Sequence, residues 1–343
     1  MKTSTLISLL TAFLLTVGTS IWLLKQDNSI PEPVEQPLLA EFVDLLPTLT
    51  QIEIADANGT VLLAEKVENE WRAKHLHSDH SLPVDMDTLA GLIDGLRSAN
   101  KIEAKTQNAE QYSRLGVEPL AQAESTSKLI SLHSAERSFE VLVGRQSTSG
   151  FGSFVRIPNA AQSWLIDQTI ALPETASAWL VNPIPLIELD AIASVTRDTD
   201  DRYQIVSSAN PGNGDETAQA QWQLVDLAED EQLVFPGILR TTVNSLISTR
   251  FDRAIARETL AAEFNPQSEI VIKTKFDEQL LVQLYQDGDN FYVGYVLASK
   301  PWLEHWLFAL SSFNYDQLNK GRSDLVEPPE MQEPPLTESA PVQ

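Results

Sequence analysis

Hydrophobic positions along this chain follow two periods, and the switches between them outline its architecture. From Gln51 to Ile54 polar and apolar residues alternate, the chain turns at Asn58-Gly59, and it returns through Thr60 to Val67. Successive strand side chains face opposite sides, and Asn-Gly tolerates the positive φ of a tight turn, so this stretch predicts a β-hairpin. A third short strand carries Trp71. After Leu82-Pro83 the period lengthens: Leu89, Leu92, Ile93 and Leu96 fall at i, i+3, i+4 and i+7. That spacing predicts a helix, with Asp85 available as its cap, whose apolar face must pack on a sheet. Four further strands are predicted over Lys128 to His133, Phe139 to Val143, Phe154 to Ile157 and Ser163 to Ile166.

The same succession recurs downstream. Strands are expected near Ile192 to Val195, at Tyr203 to Val206 and through Gln221-Trp222-Gln223-Leu224, where Trp222 takes the place of Trp71. Phe235-Pro236 then precedes a helix with Leu239, Val243, Leu246 and Ile247 on one face. Glu269 to Thr274, Leu280 to Leu284 and Phe291 to Tyr295 match the later strands of the first copy. Only the ending differs, because Trp302, Leu303, Trp306, Leu307 and Leu310 have helical spacing, which predicts a helix in place of the last strand. The expected fold is therefore α+β: two similar units of antiparallel sheet with one packed helix each, at 48–185 and 186–320.

The ends of the chain read differently. Leu6 to Leu24 is an almost unbroken apolar run between Lys2 and Lys25. Its length approaches the roughly 20 residues that a helix needs to cross about 30 Å of hydrocarbon. Residues 1–25 are thus expected to be a transmembrane anchor. The alternative is a cleaved signal peptide, with Gly18 and Ser20 as the small residues of the cleavage site. Ile21-Trp22-Leu23-Leu24 carries the apolar segment through that site, and Trp22 beside Lys25 suits an interfacial anchor. Residues 26–47, with Pro31, Pro33 and Pro37, are expected to be a stiff linker, and 321–343, with five prolines after Glu327, a disordered tail. The expected placement is single-pass in a bacterial inner membrane through residues 6–24, with the body in the periplasm.

Composition narrows the function classes. Hydrophobic residues make up 43% of the chain, enough for a core, and the formal net charge is −24. Nucleic-acid phosphates demand a basic face, so nucleic acid is excluded as a partner. With no cysteine in the chain, neither a lipoprotein anchor nor a Cys-based metal site is available.

One stretch carries candidate chemistry. His75-Leu76-His77-Ser78-Asp79-His80 spells the H-x-H-x-D-H pattern of metallo-β-lactamase-like hydrolases, in which alternate histidines hold one metal and Asp with the last His a second, to activate water. The context departs from that pattern: Glu70-Trp71-Arg72-Ala73-Lys74 precedes it where a buried apolar strand belongs, and Ser81-Leu82-Pro83 follows in place of glycines. The only other histidines are His133 and His305. A polar surface loop is the expected reading, with a metal-dependent hydrolase using His75, His77, Asp79 and His80 as the alternative. Gly150-Phe151-Gly152 is expected to be a hairpin loop, and Asp198, Asp200 and Asp201 a solvated turn. No G-x-S-x-G nucleophile motif is present, so no catalytic residue and no cofactor is assigned.

Taken together, the hairpin followed by Trp71, the helix, Leu115-Gly116-Val117-Glu118-Pro119, Val143-Gly144 and Phe154-Val155-Arg156 resemble the bacterial domain-of-unknown-function family numbered 4340, over Thr48 to Trp179 and more loosely beyond. The resemblance implies a membrane-anchored extracytoplasmic protein, often associated with ABC-type export systems related to gliding-motility transporters. It implies no catalytic residues. A non-enzymatic accessory or scaffold is the resulting expectation.

Overall fold

The computed structural model describes residues 36–40, 42–148, 150–208, 221–260 and 264–327. The apolar run at 6–24 lies outside them, and among the described residues no helix is long and apolar enough to cross a membrane. The chain is mixed α/β, with two antiparallel sheets and few helices.

The first sheet is built from β1 (Gln36–Pro37), β2 (Leu49–Asp56), β3 (Gly59–Val67), β4 (Glu70–Ala73), β5 (Leu82–Pro83), β6 (Asn100–Ala104), β7 (Lys128–Ser134), β8 (Ser138–Gln146), β9 (Ser153–Arg156) and β10 (Ser163–Ile166). Helices α1 (Phe42–Leu45), α2 (Met86–Ser98) and α3 (Tyr112–Leu115) interrupt them. The second sheet takes β11 (Ile192–Arg197), β12 (Tyr203–Ser208), β13 (Gln221–Leu224), β14 (Arg253–Ala256), β15 (Ser268–Thr274), β16 (Gln279–Asp287), β17 (Asn290–Leu297) and β18 (Trp306–Leu310), with α4 (Ile238–Ser248) and α5 (Ser312–Leu318).

Strand order reveals a duplication. The first sheet runs β1-β6-β10-β9-β8-β7-β2-β3-β4-β5, and the second, read from its β14 edge, runs β14-β18-β17-β16-β15-β11-β12-β13. Without β1 and β5 the two orders correspond strand for strand, and α2 and α4 occupy the same place in each succession. The tryptophans correspond as well: Trp71 and Trp222 are each the second residue of a four-residue strand. In both copies the pattern buries what it should. Leu89, Leu92 and Leu96 of α2 are buried, as are Leu239, Val243, Leu246 and Ile247 of α4.

The correspondence corrects the expected ending of the second copy. Trp302 to Leu310 forms a short 3₁₀ turn at Pro301–His305 and then strand β18, not a helix. All five residues of Trp306–Leu310 are buried. A short run that is apolar at every position suits a strand covered on both faces, and β17 and β14 supply hydrogen-bonding neighbours on both sides. Strands β6 and β14 escaped the pattern because Asn100–Ala104 and Arg253–Ala256 are short and carry no clean alternation.

Three expected boundaries also move. Gln36 and Pro37, within the expected linker 26–47, pair with β6, and Leu38, Leu39, Phe42 and Leu45 are buried. Their apolar side chains recur at helical spacing on a segment that therefore has a face to dock. At the other end, Leu325 and Val326, in the expected tail 321–343, are buried, and Val326 bridges to Leu233. The remaining tail residues, 328–343, lie outside those described. Finally, one compact unit takes the chain to Leu63 together with Asp87–Leu172, whereas Ala64–Met86 belong with Pro173 onward. The reason is local: Val84 bridges to Leu180, and the Val181 amide donates to the Pro83 carbonyl at 3.1 Å.

In the first unit the residues Leu115-Gly116-Val117-Glu118-Pro119 have a structural task. Gly116 closes α3 in the left-handed region at φ 72°. Val117 is fully buried, and its carbonyl accepts from Arg156 Nε at 2.9 Å. Glu118 is buried with its Oε1 accepting from the Thr126 amide at 2.6 Å. Gly144 of β8 lies so close to this turn that a Cβ there would stand 2.7 Å from the Gly116 carbonyl oxygen.

Candidate functional site

Four side chains from three segments of the second unit converge. Pairing of β14 with β18 places Ala256 opposite Trp306. The turn after β14, Arg257–Thr259, and the turn before β18, Pro301–His305, therefore lie at the same end of the sheet, bringing Glu258 and His305 together. The loop that follows β4 adds His77 and His80.

His77 is fixed at both ring nitrogens. Nδ1 accepts from the backbone amides of Asp79 at 3.2 Å and His80 at 3.3 Å, which closes a tight turn. An imidazole nitrogen that accepts carries no proton, so the proton sits on Nε2, and Nε2 donates to Glu258 Oε1. His80 Nε2 stands 3.9 Å from Glu258 Oε2. The His80 ring stacks on two others, on His77 with centroids 4.9 Å apart and on His305 at 3.7 Å. One donor atom each from His77, His80 and Glu258 lies within 4.8 Å of the others. Glu258 keeps 60% of its side-chain surface exposed, so solvent reaches this group.

His75 stands apart. Both of its ring nitrogens are shielded from solvent without a hydrogen bond of ordinary geometry. Burial pushes its pKa down to about 4, which the nearby backbone of Ala176 only partly opposes. The ring is neutral and enclosed, and it belongs to the packing of the loop. Asp79 contributes its amide to the His77 turn, and its carboxylate is not among the converging donors. The candidate set His75, His77, Asp79 and His80 is therefore not assembled as a two-metal centre among the described residues; His77 and His80 are kept, and Glu258 joins them. Sequence reasoning missed Glu258 because a lone glutamate among many acids carries no signal. His305 was visible as one of two remaining histidines, but nothing in the sequence tied it to the loop. The other, His133, lies on β7 in the first unit.

Other candidates resolve as structure. Gly150 and Gly152 take positive φ, 83° and 81°, in the turn between β8 and β9, with Phe151 exposed at its tip. Asp201 accepts from the Ser323 amide at 3.0 Å, anchoring the chain near Gly321. Near the end of the second copy Trp306 and Phe308 are core residues, Trp302 lies under Arg72 at 5.3 Å, and Phe313 is 68% exposed. A groove of about 500 Å³ in the first unit is lined by Lys105, Arg114 and Phe154, among others. Lys105 is already engaged there, with Glu103 at 2.6 Å and over the Phe154 ring at 5.7 Å.

No curated protein matches the chain. No solved structure matches it either. The family model described as Domain of unknown function (DUF4340) matches residues 71–263. That span runs from Trp71 of β4 past β14, so it takes in the later part of the first copy and the earlier part of the second, starting after the Thr48 and ending beyond the Trp179 between which the sequence resemblance was traced. It covers more than half of the chain, which belongs to the DUF4340 family.

Proposed function

We propose that this protein is a non-enzymatic accessory, held at the bacterial inner membrane by residues 6–24 with its body in the periplasm, where it serves as a scaffold for a membrane protein partner such as an ABC-type transporter. The observation that carries the reading is the apolar run itself, long enough to span and followed by Pro31 and Pro33 before the folded body starts at β1. Such an arrangement tethers a body and holds it off the bilayer. The family association with ABC-type export systems supplies the class of partner.

Two features of the body support a docking role. The duplicated sheet offers two scaffolds of one design, and its turns present large apolar side chains to solvent. Phe151, between β8 and β9, is 81% exposed, and Phe276, between β15 and β16, is 82% exposed. Exposed aromatics are over-represented where partners bind.

Cross-linking in cells followed by purification from solubilised membranes tests the proposal. The full chain should recover transporter subunits, and the Phe151→Asp and Phe276→Asp variants, which alter exposed turns alone, should recover less while keeping their fold. Fractionation of the chain away from the membrane, or recovery of no membrane protein, would overturn it.

A further inference from the structure

We infer that His77, His80 and Glu258 form a binding site for one divalent transition-metal ion of the zinc class. The inference is independent of the accessory role and rests on the second unit alone. Two imidazoles and a carboxylate are the donor set that zinc, nickel and copper favour, whereas magnesium and calcium take oxygen donors almost throughout. The donor atoms already stand within 4.8 Å of one another. They come from two segments, the loop after β4 and the turn after β14, so one ion would tie the loop to the sheet. Exposure of Glu258 leaves room for solvent to complete the coordination, and the acidic surface of the chain, net charge −24, attracts cations to it.

A proton stands where the ion would bind. It sits on His77 Nε2 and is shared with Glu258. Coordination through Nε2 requires that the ring carry its proton on Nδ1 instead. The new Nδ1–H then faces the amide N–H groups of Asp79 and His80, whose contacts at 3.2 and 3.3 Å must open. His80 must also turn. Its ring plane lies within 15° of that of His77, and two nearly parallel imidazoles cannot both point their in-plane lone pairs at one ion. Binding therefore unstacks His80 from His305. These rearrangements make the affinity weaker than that of a preformed structural zinc site, and they give binding a signature of its own.

The test uses the full chain, stripped with a chelator and titrated with Zn²⁺ alone, followed by calorimetry and by amide NMR. One ion per chain is expected, with the largest amide shifts at Asp79 and His80. His80→Asn and Glu258→Gln should each weaken binding by at least about 10-fold while the circular dichroism stays that of the parent. His75→Asn and Asp79→Asn should leave the stoichiometry unchanged. Absence of saturable binding overturns the inference, as does binding that survives in the His77→Asn/His80→Asn/Glu258→Gln triple variant. Saturation without movement of the Asp79 and His80 amides also counts against it, because the ion would then sit elsewhere.

Discussion

The imidazole of His80 lies face to face with that of His305, ring centroids 3.7 Å apart and planes inclined by 7°. The two residues come from distant parts of the sequence and meet because the turn before β18 packs beside the loop after β4. In this arrangement His305 holds His80 in the stack and away from the orientation a metal ion needs. A stacked aromatic pair contributes about 0.5–1.5 kcal/mol. His305→Ala should therefore raise the affinity for Zn²⁺ by roughly two- to tenfold. Calorimetric titration of the two proteins side by side checks this, and weaker binding by the variant would show that His305 is a ligand and not a competitor.

Gly144 tolerates no side chain, because a Cβ there would press on the carbonyl oxygens of Leu115 and Gly116, backbone atoms that cannot move aside cheaply. Gly144→Ala should lower stability by about 1–3 kcal/mol. Gly91, on the exposed face of α2, has open space around its Cβ position. Gly91→Ala should raise stability by about 0.5–1 kcal/mol, through helix propensity alone. Urea unfolding of both variants gives the comparison, and equal effects would refute the packing argument.

Tyr203 is buried with a hydroxyl that has no hydrogen-bond partner, and burial raises its pKa from 10.0 to about 12, with Arg197 opposing only in part. Below pH 10 the phenol is protonated in both folded and unfolded chains, so its titration changes nothing. As pH rises from 10 towards 12 the unfolded chain sheds the proton first, and stability falls by about 2 kcal/mol over that window. Tyr203→Phe should remove this part of the alkaline loss and leave stability at neutral pH unchanged or higher, since an unpaired buried hydroxyl is a liability. Thermal melts of both proteins between pH 8 and about pH 11.5 measure it. A slope equal to that of the parent would contradict the assignment.

Leu325 is fully buried although a proline-rich, acidic stretch follows it. Leu325→Ala should lower stability by about 2–5 kcal/mol, as truncation of a core leucine does. Chemical denaturation decides the matter, and a change below about 0.5 kcal/mol, usual for an exposed site, would mean that this segment does not hold the second unit together.

How much of this was legible in the sequence follows from the range of the forces involved. Period, turn residues and composition are local, and they determined the hairpin at Asn58-Gly59, the two amphipathic helices, most strands and the repeated order of Trp, Pro and helix. They also marked the histidine-rich loop from His75 to His80, read first as a polar surface loop and alternatively as a metal site. Everything that depends on which strand lies beside which was decided by tertiary structure. Trp302, Leu303, Trp306, Leu307 and Leu310 satisfy a helical period, yet hydrogen bonds to β17 and β14 make Trp306–Leu310 a strand, because burial on both faces overrides a pattern that only one face would need. Leu38 and Leu325 looked like parts of a linker and a tail, and only a docking surface elsewhere in the chain makes them core. The same holds for the site. A histidine-rich loop is visible locally, but Ala256 facing Trp306 across β14 and β18 is what brings Glu258 and His305 to it, and desolvation in the folded chain is what removes His75.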